Sequence, residues 1–109
     1  MEFSTQTSID GTTRLTVAGD LTIYHANEIK ERLIEGVRAG QVLELDLSQV
    51  GEIDTAGVQL LALAKRESRT QGHAFAIVGH SLAVREVIEF FNMVAYFGDP
   101  LVIPANERR

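Results

Sequence analysis

The sequence predicts an α/β fold: a mostly parallel β-sheet with an antiparallel edge hairpin, packed with about three to four helices. The order of its segments predicts this class, and its length and composition predict a single core. After an initial hairpin, strand-like and helix-like segments alternate in the order β-β-α-β-α-β-α-β, which implies right-handed crossovers and parallel pairing. The 109 residues, 45% of them hydrophobic, suffice for one core without disulfides or metals. We therefore expect residues 1–109 to form a single domain.

The chain begins with a predicted β-hairpin. Residues 2–9 alternate weakly and are rich in Ser and Thr, and Asp10-Gly11 follows as a turn signal because the glycine can adopt a positive φ. Residues 12–18 carry apolar side chains on one face, so we expect a second strand antiparallel to the first, with the first at the edge of the sheet. Residues 19–22 are expected to leave the sheet.

An amphipathic helix is predicted from about Tyr24 to Val37. Its apolar residues recur at three- and four-residue spacing, and charged residues occupy most of the remaining positions. Thr22 is a plausible N-cap, and Gly40 closes the unit. The apolar positions are Ala26, Ile29, Leu33 and Val37.

Residues 42–63, VLELDLSQVGEIDTAGVQLLAL, form the central stretch of the sequence. Three leucines alternate with two acidic residues over residues 43–47, which is the period of a strand with one covered face. Residues 48–52 break this pattern. Asp54 then precedes an apolar run rich in helix formers, so it is predicted to cap a helix whose first residue is Thr55.

The remaining segments complete the alternation. The helix that follows is expected to run to about Thr70, with Gly72 as a left-handed C-cap. Residues 74–78 are a short apolar run typical of an interior parallel strand. Ser81 is a predicted N-cap for the next helix. Residues 101–103 are a predicted short final strand.

Composition argues against several classes of function. The net charge of −5 argues against a nucleic-acid groove, which needs a concentrated basic face. The absence of cysteine excludes disulfides and thiolate metal sites, and it suits a reducing compartment. The sequence shows no leader-like segment and no long hydrophobic span, so we expect a cytoplasmic protein that does not insert into a membrane.

Catalytic motifs are also missing from the sequence. His25, His73 and His80 show no metal-ligand spacing, and the chain has neither a nucleophile elbow nor a glycine-rich phosphate loop. Asp46 and Asp54 could approach each other and bind a cation, but helix capping explains Asp54 without a metal. We therefore expect a protein that is not an enzyme and that needs no cofactor or metal.

Thr55 carries the remaining candidate chemistry. One interpretation is structural: Asp54 caps the helix, and small residues let the helix lie close to the sheet. The other is a phosphorylation switch, because N–H groups at a helix start accommodate a phosphate whose charge of about −1.5 to −2 changes the surface potential. The sequence has no phosphoryl-transfer machinery, so a kinase would act in trans. On the residues alone, both interpretations stay open.

The chain resembles the STAS domains, and in particular the bacterial anti-sigma factor antagonists, over nearly its whole length. The element Asp-Ser/Thr-x-Gly in this setting is fairly specific to them. The landmarks are Gly19-Asp20-Leu21, Leu45-Asp46-Leu47-Ser48, Ile53-Asp54-Thr55-Ala56-Gly57 with Leu60-Leu61, and the strand from Gly72 to Gly79 with Ser81 and the Val84-Val87 helix after it.

The resemblance implies a regulator that switches partners. Thr55 would be phosphorylated by a serine/threonine kinase that is also an anti-sigma factor. The unphosphorylated protein would bind that kinase, and a cognate phosphatase would reset the switch. Gly57 would keep the docking surface open. The implied partner-binding residues are Asp20, Thr22, Asp54, Thr55, Ala56, Gly57 and Gln59.

Three positions depart from the family's usual pattern. Thr55 replaces the serine that is usual in the sigma-factor antagonists, and Thr22 stands where the family often has an acidic residue. Asn92-Met93 replaces a usual Gly-Leu near the end of the last helix. These departures bear on the pathway and leave the expected fold unchanged.

Two alternative functions also fit the sequence. The chain could be a constitutive STAS accessory subunit of a lipid-type ABC transporter, docking on its ATPase through the same surface. It could also be a small-molecule or nucleotide-binding domain, because helix amino ends at the carboxyl edge of a parallel sheet are natural anion sites. In each case the edge strand offers a route to a homodimer.

Overall fold

The computed structural model describes residues 1–90, which form a four-stranded mixed sheet with three helices. The predicted α/β class is therefore confirmed. The predicted final strand over residues 101–103 and the Asn92-Met93 position lie outside the described residues. The elements are β1 (Glu2–Thr7), β2 (Thr12–Leu21), α1 (Ala26–Ala39), β3 (Val42–Ile53), α2 (Thr55–Thr70), β4 (Ala74–His80) and α3 (Leu82–Phe90), with a short 3-10 turn, Ile23–His25, before α1.

The strand order is β1-β2-β3-β4. β1 pairs with β2 antiparallel, and the other two pairings are parallel. This confirms the parallel sheet with an antiparallel edge hairpin. Within residues 1–90, however, β4 lies at the second edge of the sheet and not in its interior. Its apolar run is consequently covered on one side only, since Ile77 is buried whereas Val78 is 42% exposed.

The core lies on one face of the sheet, under the helices. The leucines of β3 at positions 43, 45 and 47 are buried, and Glu44 between them points to the opposite face, where it pairs with Arg14 at 3.0 Å. The period of two predicted for this strand is therefore confirmed. The core residues are Leu15, Val17 and Leu21 of β2, Leu43, Leu45, Leu47 and Val50 of β3, Ile29, Leu33 and Val37 of α1, Leu61 and Ala64 of α2, Ile77 of β4, and Val84 and Ile88 of α3.

Two segments belong to the sheet that were not predicted to: residues 19–21, expected to leave it, and residues 48–52, expected to break the strand pattern. β2 continues through residues 19–21 and β3 continues through residues 48–53, and the two extensions pair with each other, with Leu21 opposite Ile53. Gly19 adopts φ +124°, which an L side chain rarely adopts, and the register shifts on both sides of it. The extra pairing brings the end of β2 beside the residue that starts α2.

The start of α1 also differs from the prediction. The helix begins at Ala26, and the 3-10 turn Ile23–His25 precedes it. The predicted N-cap role of Thr22 is wrong, because its side chain makes no capping hydrogen bond; its carbonyl accepts from the N–H of His25 at 3.0 Å.

Other predicted helix ends are confirmed. Gly72 after α2 adopts φ +73°, the left-handed conformation expected of a C-terminal glycine. Ser81 caps α3, since its Oγ accepts from the N–H of Val84 at 3.2 Å. None of the helices in residues 1–90 has the length and apolar character that a membrane crossing requires.

Candidate functional site

The carboxyl ends of the three parallel-paired strands place the candidate site at one end of the sheet. β2 leads into Thr22 and the 3-10 turn, β3 leads into Asp54 and α2, and β4 leads into Ser81 and α3. This is the end at which open parallel sheets generally present their functional groups.

Asp54 connects two of these segments through one carboxylate. Its Oδ1 accepts from the N–H of Gly57 at 3.0 Å, which is the predicted N-cap of α2. Its Oδ2 accepts from the N–H of Ile23 at 3.1 Å, in the 3-10 turn. The N-cap prediction is confirmed. Sequence reasoning missed the second bond, because it joins residues that lie 31 positions apart.

The hydrogen bonds to Asp54 also favour its charged form. Desolvation at this half-buried position raises the pKa of the carboxyl group, but N–H groups of Gly57, Ile23, Ala56 and Asp54 itself outweigh it. The net pKa therefore lies below the ordinary value of 3.8. A fixed negative charge consequently stands beside Thr55 at neutral pH.

Thr55 is the first residue of α2, as predicted, and its side chain is exposed. It lies at the amino end of a 16-residue helix, where backbone N–H groups favour nearby anions. The first turn of α2 has no acidic residue of its own. Gln59, one turn further along the same face, is also exposed.

Gly57 lies beneath this surface and not on it. It is buried, and a Cβ at this position would overlap the carbonyl oxygen of Leu21 and stand 2.9 Å from Cγ1 of Ile53. The glycine therefore lets the first turn of α2 lie directly against the ends of β2 and β3. This close approach is what Gly57 contributes to the geometry of the surface, and its role in keeping that surface open to a partner stays a prediction.

The other predicted partner-binding residues lie around the same end. Ala56, Asp20 and Thr22 are half-buried. Thr22 and Asp54 share a groove of about 310 Å³ with the first turns of α3. Sequence reasoning missed the α3 residues of this groove; their position directly after a parallel strand was the signal that could have identified them. The groove is lined by Thr22, Gly51, Glu52, Ile53, Asp54, Ala83, Glu86 and Val87.

Three large apolar side chains are exposed at this end of the sheet. Ile23 is 62% exposed, Tyr24 is 90% exposed and Leu82 is 67% exposed. They follow β2 and β4 directly, so they lie at the same end of the sheet as the start of α2. From the sequence, residues 20–24 are expected to border the docking surface, because they leave a neighbouring strand at the same end of the sheet; Leu82 was not identified. Ile23 and Tyr24 are adjacent in the chain, and contiguous exposed apolar groups are typical of protein-contact surfaces.

The expected approach of Asp46 to Asp54 does not occur. β3 is continuous between them, and eight residues of strand span roughly 25 Å. Asp46 instead accepts from the N–H of Ser48 at 2.9 Å. The hydrogen bonds from Ser48, with a smaller effect from Arg14, hold the pKa of Asp46 below its ordinary value despite desolvation. In residues 1–90, no group of three or more His, Cys, Asp or Glu side chains could hold a metal ion.

Solved structures share this fold. A putative anti-sigma factor antagonist from Thermotoga maritima is 21% identical, with a TM-score of 0.78 over 97% of this chain and 92% of that chain. The unphosphorylated anti-sigma factor antagonist SpoIIAA is 18% identical, with a TM-score of 0.72 over 98% of this chain and 95% of that chain. A sulfate transporter family protein from Wolinella succinogenes is 18% identical, with a TM-score of 0.70 over 85% of this chain and 75% of that chain.

A comparison of the sequence with family models shows the family, whereas no curated protein matches the chain. A family model described as "Mlab, STAS domain" matches residues 4–102, which is most of the chain. The chain therefore belongs to the STAS domain family.

Proposed function

We propose that this chain is a non-enzymatic regulator of the anti-sigma factor antagonist type, switched by phosphorylation of Thr55. In its unphosphorylated form it binds a serine/threonine kinase that is also the anti-sigma factor, and phosphorylation releases it. A cognate phosphatase resets the switch. The setting is the cytoplasm, which supplies the ATP that the kinase needs.

The observation that carries the proposal is the position of Thr55. Its side chain is exposed at the amino end of α2, next to a fixed carboxylate. In the transfer, Thr55 Oγ would attack the γ-phosphorus of ATP, the bond to the β–γ bridging oxygen would break, ADP would leave, and the hydroxyl proton would pass to a base of the kinase. The helix end accommodates the added dianion, whereas a partner facing it meets a changed potential.

The exposed residues near Thr55 form the proposed docking surface. We call Ile23, Tyr24, Thr55, Gln59 and Leu82 the switch surface. Tyr24 is an anchor of the kind that contributes most of the free energy in protein interfaces, and Ile23 and Leu82 add exposed apolar area. Thr55 and Gln59 lie on one exposed face of α2 beside them.

Binding of the cognate kinase to a set of Thr55 variants tests the proposal. We expect Thr55→Ala to bind as tightly as the wild-type chain and to resist phosphorylation. Thr55→Glu should bind at least tenfold more weakly, because burying a charge without a partner at an interface costs about 1.4 kcal/mol or more. Thr55→Gln is the matched control of similar size without the charge. Equal affinity of the Glu and Gln variants in calorimetry would contradict the proposal, as would phosphorylation that persists in Thr55→Ala.

A second candidate function is a constitutive accessory subunit of a lipid-type ABC transporter, docked on its ATPase. The family model's description, "Mlab, STAS domain", favours it, and so does the shared fold with a sulfate transporter family protein. In that case the switch surface contacts an ATPase, and Thr55 is a contact residue that is never phosphorylated. Co-purification of the tagged chain from its native cell with transporter subunits, and with Thr55 unmodified, would favour this candidate over the switch.

A further inference from the structure

The carboxylate of Asp54 bonds to two elements at once, the first turn of α2 and the 3-10 turn before α1. We call its two hydrogen bonds, Oδ1 to the N–H of Gly57 and Oδ2 to the N–H of Ile23, the Asp54 bridge. One half fixes the start of α2 next to Thr55. The other half fixes the 3-10 turn that displays Ile23 and Tyr24, the two exposed apolar residues of the switch surface that precede α1.

The 3-10 turn has little else to hold it in place. It is three residues long, and none of its residues is buried. Within it, the N–H of His25 donates to the carbonyl of Thr22. The end of β2 is tied to the start of α2 by a backbone bond, since the N–H of Asp54 donates to the carbonyl of Leu21 at 3.2 Å. The bond from Ile23 to the Asp54 carboxylate is the side-chain bond that ties the turn itself to this point.

We propose that phosphorylation of Thr55 breaks the Asp54 bridge and thereby releases the turn that displays Ile23 and Tyr24. This inference rests on the proposed function and adds a mechanism to it. Phosphorylation would then weaken partner binding in two ways: by charge on the surface, and by loss of the fixed geometry of the apolar anchors.

The geometry at the start of α2 supports this coupling. A phosphate on Thr55 would accept from the same amino-terminal N–H groups that Asp54 uses, those of Ala56 and Gly57. The first turn of α2, Thr55 to Val58, contains no basic side chain that could neutralise either anion. The two anions therefore compete and repel each other.

Because the carboxylate is rigid, displacing Asp54 from the start of α2 also changes its bond to the 3-10 turn. Oδ1 and Oδ2 belong to one planar group, so a rotation that takes Oδ1 away from Gly57 also takes Oδ2 away from Ile23. The turn then samples other positions. A partner that needs the original position binds more weakly in proportion to the fraction of molecules that have lost it.

Amide exchange in the unphosphorylated protein tests the bridge itself. Asp54→Ser keeps an N-cap for α2, because Ser caps as well as Asp, but its single oxygen cannot serve both N–H groups. We expect the Ile23 amide proton to exchange roughly three- to tenfold faster by NMR, the factor for one lost hydrogen bond, while Gly57 stays protected. Asp10→Ser is the matched control: it removes the same charge from the β1–β2 turn, where Asp10 accepts from Thr12.

Amide exchange in the phosphorylated protein tests the coupling. The chain is made with phosphothreonine at position 55 by peptide ligation, so no kinase is needed and the result does not depend on whether a cell phosphorylates the residue. We expect exchange at Ile23 to rise to the level of Asp54→Ser. An Ile23 amide that stays as protected as in the unmodified chain overturns this inference. If the Ile23 amide stays protected and the phosphoprotein nevertheless fails to bind the kinase, the proposed function stands and only the coupling through the Asp54 bridge is wrong.

Discussion

Gly57→Ala tests how closely α2 must approach the sheet for the site to form. The added methyl group would overlap the carbonyl oxygen of Leu21, stand 2.9 Å from Cγ1 of Ile53 and stand 3.0 Å from Cβ of Leu21. The backbone carbonyl cannot rotate away as a side chain can. The amino end of α2 must therefore move off the ends of β2 and β3.

Opposing effects set the size of the change. Alanine is better than glycine in a helix interior by about 1 kcal/mol. Overpacking of this kind costs roughly 1–3 kcal/mol, and a shifted helix start also weakens the 3.0 Å bond from Gly57 to Asp54, a cap worth about 1 kcal/mol. We expect a net loss of about 1–3 kcal/mol, or roughly 5–15 °C in Tm for a domain of this size.

Denaturant unfolding followed by circular dichroism measures this loss, and Gly36→Ala is the matched control. Gly36 is also buried in a helix, α1, but its added methyl would meet Cδ1 of Leu43 at 3.1 Å. Cδ1 of Leu43 is the end of a flexible side chain and can shift. We therefore expect the free energy of unfolding of Gly36→Ala to lie within about 1 kcal/mol of the wild-type value. The reasoning is refuted if Gly57→Ala is as stable as the wild type, or if both variants lose the same amount.

Two further predictions concern buried and charged groups. Ser68 is fully buried on α2, and among residues 1–90 its Oγ has no hydrogen-bond partner. Ser68→Ala should therefore raise the free energy of unfolding by about 1 kcal/mol in urea titrations, and a loss of stability would show that the hydroxyl is satisfied. The folded-state pKa of Asp54 lies below its ordinary value. Its contribution to the free energy of unfolding is therefore complete above about pH 4 and is lost as the pH falls through the folded-state pKa. The urea midpoint of Asp54→Asn should consequently fall less steeply than that of the wild type below about pH 4, and parallel acid curves would contradict this sign.

Side-chain patterns predicted the centre of the fold and the position of Thr55. The alternation over residues 43–47 identified a strand with one covered face, and Asp54 before an apolar run identified the start of α2. Both signals are local, because they depend on the spacing of neighbouring side chains and on the capping chemistry of one residue. Local signals of this kind can be read from a single sequence.

The missed features depend on backbone pairing or on contacts between distant residues. Residues 19–21 and 48–53 pair across register shifts, and a period of two in the side chains does not reveal such pairing. The bond from Ile23 to Asp54 joins two loops that only the folded sheet brings together. The buried position of Gly57 follows from the same extra pairing, because Leu21 would not lie over α2 if β2 ended at Ala18.

The mass of the intact chain purified from its native cell, with and without phosphatase treatment, tests the central claim most directly. We predict a fraction that carries one phosphate, that loses it to the phosphatase, and that fragmentation assigns to Thr55. A phosphate on another residue, or a chain that stays unmodified when its cognate kinase and ATP are added, would contradict the account.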